Sequence, residues 1–186
     1  MGKDIPQLVT LVGAGVIGRG WIRVFAGAGA KVRMYDQDPK QGPVTLAWLE
    51  KDLALDEAEG FIARGEGAAI LGRVAIVNDL AQALKGADYV QESAPEKLEI
   101  KQAVFRELDR LADPATILAS STSALDIGEI AGGLPGERRC VMAHPFNPPH
   151  VLPAVELAAS QWTTPATVRA VSDLMAGCGQ DPVVLK

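Results

Sequence analysis

Short apolar, β-branched runs alternate along the chain with longer segments whose apolar residues recur every three or four positions, the pattern of strands alternating with helices. The first run, residues 8–12, gives way to Gly13, Gly15 and Gly18 and then to a helical pattern ending near 27–29. A second run at 31–35 closes on Asp36. Pro39, Gly42 and Pro43 form a turn before a helix predicted over 44–59, with Leu46, Leu49 and Leu53 at helical spacing. Residues 60–72 are glycine-punctuated and weakly periodic, which predicts a loop over part of them. A short strand at 74–77, a brief helix at 80–84 capped by Asp79 and ended by Gly86, and a strand at 89–92 follow. Pro95 or Glu96 opens a helix with Leu98, Ala103, Phe105, Leu108 and Leu111 along one side. Residues 116–120 form a buried strand with Ser121, Thr122 and Ser123 at its carboxyl end, and a short helix through Ile127 and Ile130 stops at Gly132 and Gly133. A strand at 139–143 delivers His144 into a proline-rich turn that leads to an apolar run at 154–157. A helix from Thr164 or Pro165 to Gly177 and a strand at 182–185 complete the pattern.

This alternation predicts an α/β fold with a doubly wound, mostly parallel sheet, whose ligands sit beyond the carboxyl ends of the strands. Asp36, Glu92, Ser121, Ser123 and His144 all fall at such ends and are expected along one edge. The glycine array has a strand before it, a helix after it and an acid about 20 residues on, the arrangement of a dinucleotide site. Gly13 allows the tight turn, Gly15 lets a pyrophosphate approach the backbone, and Gly18 lets the helix pack closely. The N–H groups around Val16 and Ile17 face the phosphates with help from the helix dipole, and Asp36 accepts from the adenosine ribose hydroxyls. A carboxylate there, followed by Gln37 and Asp38 and by no arginine, repels a 2′-phosphate, so NAD is expected rather than NADP. FAD shares the fingerprint.

With 186 residues, nearly half of them apolar, the chain makes one ordinary domain. A net charge of −5 argues against a nucleic-acid partner. Cys140 and Cys178 lack metal-ligand spacing and read as buried, reduced thiols, so no metal is expected. The chain opens with no basic-then-apolar leader and has no run long enough to span a bilayer, so a cytoplasmic protein without a membrane partner is expected.

His144 is the candidate base, because an imidazole with an unperturbed pKa near ~6.5 exchanges protons at neutral pH. Glu156 lies twelve positions on, in an apolar run after the Pro148–Pro149 turn, where it can fold back to orient the ring and stabilise the imidazolium. Ser123 can hydrogen-bond a substrate oxygen.

The segments VGAGVIGRGW, YVQESAPEKLEIK, ILASSTSALDI, AHPFNPPHVLPAVEL and GCGQDPVVLK occur in this order over almost the full length. Together they resemble the NAD-binding domain of the 3-hydroxyacyl-CoA dehydrogenase superfamily, a Rossmann-type NAD(P)-binding fold. The resemblance is strongest to the branch holding lambda-crystallin (L-gulonate 3-dehydrogenase) and L-carnitine dehydrogenase. It implies that His144 takes the hydroxyl proton while hydride leaves for the nicotinamide, with Glu156 orienting the ring and Ser123 on the reacting oxygen. Oxidation is then expected to run faster in alkaline solution. Asn147 is implied near the nicotinamide and substrate, and Glu96 and Lys101 in contact with NAD. Residue by residue, Glu96 and Lys101 also fit a solvated helix face. The His-Pro-x-Asn-Pro segment has no part in a flavoprotein, which disfavours FAD. Family members continue into an all-helical domain that completes the substrate pocket and usually forms a homodimer. That domain is absent from this chain, which reads as the NAD-binding domain over 1–186, expected to bind NAD and to turn over poorly alone. Asp52 and Glu59 occupy places where CoA-dependent members hold CoA, so the expected substrate is a small hydroxy acid rather than a hydroxyacyl-CoA. The other reading is an NAD-binding or structural, crystallin-like protein without catalysis.

Overall fold

The computed structural model describes residues 5–185. Its strands are β1 (Leu8–Val12), β2 (Lys31–Tyr35), β3 (Val74–Ile76), β4 (Tyr89–Glu92), β5 (Ile117–Ser120), β6 (Cys140–Pro145), β7 (Ala154–Ala158) and β8 (Asp181–Val184). They form an eight-stranded sheet in the order β3-β2-β1-β4-β5-β6-β7-β8. All neighbours are parallel except β6 and β7, which run antiparallel. Strand order reverses between β1 and β4, which opens a crevice there at the carboxyl ends.

Period-two alternation splits the strand residues between two faces. Val9, Leu11, Tyr89, Ala119 and Val141 pack on one side with α1 (Val16–Ala28), α2 (Gln41–Glu59), α3 (Glu66–Leu71) and α7 (Pro165–Gly177). Val90, Leu118, Cys140 and Met142 pack on the other with α4 (Leu80–Leu84), α5 (Leu98–Leu111) and α6 (Ile127–Ala131). The doubly wound expectation holds. Cys140 and Cys178 are buried thiols. Burial, with Asp109 adding to it, pushes the Cys140 thiol up to about 12, which leaves it unreactive at neutral pH.

Three elements differ from the pattern-based expectation. Helix α2 begins at Gln41 rather than 44, because Pro43 lies in the first turn, where no backbone donor is needed. Gly42 also sits so close to Ile76 that a Cβ would lie 2.8 Å from Cγ2. Within 60–72, α3 forms although its sequence is short and glycine-flanked. Its start is held from outside, since Glu57 Oε1 accepts from the N–H groups of Gly65 and Gly67 at 3.1 and 2.8 Å. Helix α5 starts at Leu98, leaving Pro95 and Glu96 in the preceding loop, because the Glu96 carboxylate turns to the loop after β5. The remaining elements fall within about two residues of their expected bounds.

Candidate active site

The glycine turn after β1 is shaped by contacts that exclude side chains. Gly13 has φ +102°, and a Cβ on it would lie 2.6 Å from the Ser93 carbonyl oxygen in the loop after β4. A Cβ on Gly18 would strike the Gly13 carbonyl. Gly13→Ala should therefore cost about 2 kcal/mol or more of stability, measured by urea unfolding. Gly15 differs, because a Cβ there would meet nothing within 4 Å. Its freedom keeps an approach to the backbone open. Helix α1 starts at Val16 with no side-chain cap, leaving its first N–H groups for an anion. Asp36 ends β2 beside this turn. Its Oδ2 accepts from the Ala14 N–H at 2.7 Å and its Oδ1 from the Asp38 N–H at 2.9 Å, so it also braces the glycine turn. Each oxygen keeps a further lone pair. Gly13, Asp36, Ala94, Ile100 and Val104 are among the residues lining a cleft of about 590 Å³ here, with apolar walls and the carboxylates of Asp36, Asp38 and Glu107. These residues fit the adenosine and pyrophosphate of a dinucleotide.

A second cleft of about 240 Å³ adjoins the carboxyl ends of β4, β5 and β6. Ile17, Ser93, Glu96, Lys101, Ser123 and His144 are among the residues lining it. The antiparallel β6–β7 pair sets His144 directly opposite Glu156. Nδ1 and Oε2 lie 3.0 Å apart. An ionised carboxylate only accepts, so the hydrogen belongs on Nδ1 and the lone pair on Nε2. Both side chains stay partly open to solvent. The chain's other histidine, His150, lies outside this cleft; burial and then Arg23 lower its pKa.

Glu96 anchors the loop that carries Ser123. Its Oε1 accepts from Thr122 Oγ1 at 2.5 Å and from the Ser123 and Ala124 N–H groups at 2.9 and 3.3 Å. Partial burial opposes its charge, but hydrogen bonds from Thr122 and Ser123, the Lys101 ammonium and the Ala124 N–H outweigh it. The carboxyl is held below the usual range, so this anchor is lost only as pH falls beneath that range.

The expectations of a solvated Lys101 and of Glu92 on the open edge need correction. Lys101 is not on a solvated face: it is 1% exposed, and its Nζ lies 2.8 and 3.1 Å from the oxygens of Glu92, which is also buried. Ala94 O at 3.2 Å and Glu96 Oε2 at 3.4 Å complete its surroundings. Glu92 therefore faces inward rather than onto the open edge. It also accepts from Ser120 Oγ at 2.5 Å and the Ala94 N–H at 2.6 Å. Asn147 is exposed in the turn after β6 and is not among the residues lining the His144 cleft.

Asp52 does not present a bare charge either, because Arg23 pairs with both Asp52 and Asp56. Of the two carboxylates expected to repel a CoA phosphate, Glu59 is exposed.

A polar network that the sequence pattern does not reveal lies beneath the second cleft. Tyr89 donates to Gln91 Oε1 at 2.5 Å, and Gln91 Nε2 donates to Ser121 Oγ at 2.7 Å and the Ala143 carbonyl at 3.1 Å. Trp21 Nε1 donates to Ser121 Oγ at 3.0 Å, and Ser93 Oγ lies 2.9 Å from it. A glutamine inside a four-residue buried strand was the available signal.

Residues 8–186 match the family model described as "3-hydroxyacyl-CoA dehydrogenase, NAD binding domain". A lambda-crystallin homolog of Bos taurus is 40% identical over 185 residues, covering 99% of this chain and 58% of the relative. An L-carnitine dehydrogenase of Nocardiopsis dassonvillei is 36% identical, covering 98% of this chain and 54% of the relative. The solved 3-hydroxybutyryl-CoA dehydrogenase of Escherichia coli K12 superposes with a TM-score of 0.93 at 30% identity, covering 96% of this chain and 38% of that one. The chain thus spans somewhat more than half the length of these two curated relatives. It belongs to the 3-hydroxyacyl-CoA dehydrogenase NAD-binding domain family, and its cofactor is NAD.

Proposed function

We propose that this chain carries the NAD site and the general base of a dehydrogenase that oxidises an L-3-hydroxy group to the 3-keto product. The observation that carries the reading is the His144–Glu156 pair, whose His144 lines a cleft shared with Ile17 and Ser123. NAD, when bound, supplies the hydride acceptor. His144 Nε2 takes the proton of the substrate hydroxyl. Glu156 keeps the ring in the tautomer with a bare Nε2 and stabilises the imidazolium that forms. Ser123 Oγ hydrogen-bonds the reacting oxygen, and Lys101 holds Glu96, which holds the Ser123 loop. Gly13, Gly15, Gly18 and the N–H groups of Val16 and Ile17 receive the pyrophosphate, and Asp36 the adenosine ribose.

The substrate is a small hydroxy acid or a hydroxyacyl-CoA. The carnitine dehydrogenases among the relatives support the first and the hydroxybutyryl-CoA neighbour the second. In the full-length protein we place a helical domain after this one, a homodimer and a cytoplasmic location. No helix among the described residues is long and apolar enough to cross a membrane. The test is a substrate panel of gulonate, carnitine, 3-hydroxybutyrate and 3-hydroxybutyryl-CoA, with NAD and with NADP, on the longest native form of the protein. NADH formation with at least one substrate is expected, and silence across the panel would favour a crystallin-like binding role.

Asp36→Asn keeps an acceptor for the Ala14 N–H but removes the charge facing the ribose. It should weaken NADH by about tenfold, as loss of charge-assisted bonds does, and narrow its lead over NADPH. Titrating both nucleotides checks this.

A further inference from the structure

The donors around Ser121 Oγ fix where its proton goes. Trp21 Nε1 is a donor only. The Gln91 amide is oriented by its other contacts. Its Oε1 accepts from Tyr89, which burial, with Cys178 adding to it, keeps protonated, and its Nε2 also faces the Ala143 carbonyl. Ser121 therefore receives two N–H donors, at 3.0 Å from Trp21 and 2.7 Å from Gln91. A hydroxyl has two lone pairs and one proton. Both lone pairs are taken, so the Ser121 proton goes to its remaining neighbour, Ser93 Oγ at 2.9 Å. Ser93 must accept there and must point its own proton elsewhere.

Among the described residues, Ser121 is the hydrogen-bond partner of the Ser93 hydroxyl, and no protein acceptor takes the Ser93 proton. Ser93 is half-buried and lines the same cleft as Ser123 and His144. Its carbonyl packs against Gly13, which places it between the glycine turn and the base. Such a committed donor suits a group that only accepts, whereas a ribose hydroxyl can turn its own proton to any acceptor.

We infer that the Ser93 hydroxyl donates to the carboxamide oxygen of the nicotinamide and so orients the ring relative to His144. This rests on the NAD site described above. Chains of hydrogen bonds strengthen the terminal donor, so the four groups behind Ser93 serve this one bond.

Calorimetric titration of this chain tests it. Ser93→Ala should weaken NADH by about five- to tenfold, the loss of one neutral hydrogen bond, and leave ADP-ribose, which lacks the ring, unchanged. The thionicotinamide analogue, whose sulfur is a poor acceptor, should lose less than about twofold. Ser93→Thr should restore NADH binding. An equal loss for ADP-ribose, or no loss for NADH, would overturn the assignment. If the unsubstituted chain binds neither nucleotide, the NAD site itself fails. If it binds both and Ser93→Ala changes nothing, only the Ser93 role fails.

Discussion

Replacing His144 with glutamine is expected to lower kcat by about 10²- to 10⁴-fold, the range of a lost general base, while leaving NADH affinity nearly intact. The ring nitrogen that would receive the hydroxyl proton is the one Glu156 does not occupy, and glutamine offers no equivalent base. His144 lies at the end of β6, apart from the glycine turn after β1, so cofactor affinity is not expected to depend on it. Glu156→Gln should give a smaller loss in kcat, because the ring stays in place but its positive charge is no longer balanced. Steady-state rates paired with NADH titrations separate the two effects. Collapse of NADH binding in His144→Gln would instead make the histidine structural.

The second large effect concerns stability. Lys101→Met should destabilise the fold by about 3–5 kcal/mol, because it leaves the Glu92 charge buried without its counter-ion. For a domain of this size that lowers the melting temperature by roughly 10 °C. Glu92→Gln combined with Lys101→Met should recover more than half of the loss, since no uncompensated charge then remains. Were Lys101 only a cofactor contact, the single variant would melt normally and lose NADH affinity. The ion pair also explains the helix boundary. Glu92 and Glu96 both reach Lys101, and the chain between them must loop before α5 can begin.

Much of this was legible in the residues themselves. The LVTLV run, the three glycines and Asp36 stand at spacings that few other arrangements need, and β1, α1 and β2 formed where the pattern placed them. The His144–Glu156 pair was legible for a different reason. Two apolar runs separated by a proline turn make an antiparallel pair, and their register put the two side chains opposite one another.

What stayed hidden depended on tertiary contact. Helix α3 has too little sequence to declare itself and takes its cap from Glu57, eight to ten residues earlier. Lys101 looked solvated because lysine usually is. The missed signal was its place in the apolar stripe of α5, in step with Leu98, Phe105 and Leu108. Arg23 neutralises Asp52 from another helix, which no reading of α2 alone would reveal. The Ser121 network joins residues as far apart as Trp21 and Ser121, brought together only by strand order.

The central physical claim is that the bare nitrogen of His144 faces the bound cofactor and substrate. It is tested most directly by ¹⁵N NMR of the imidazole nitrogens, at a pH where the ring is neutral, with and without NADH. The proton should be found on Nδ1, and NADH should shift the Nε2 resonance. A proton on Nε2, with no response of either nitrogen to NADH, would contradict the account.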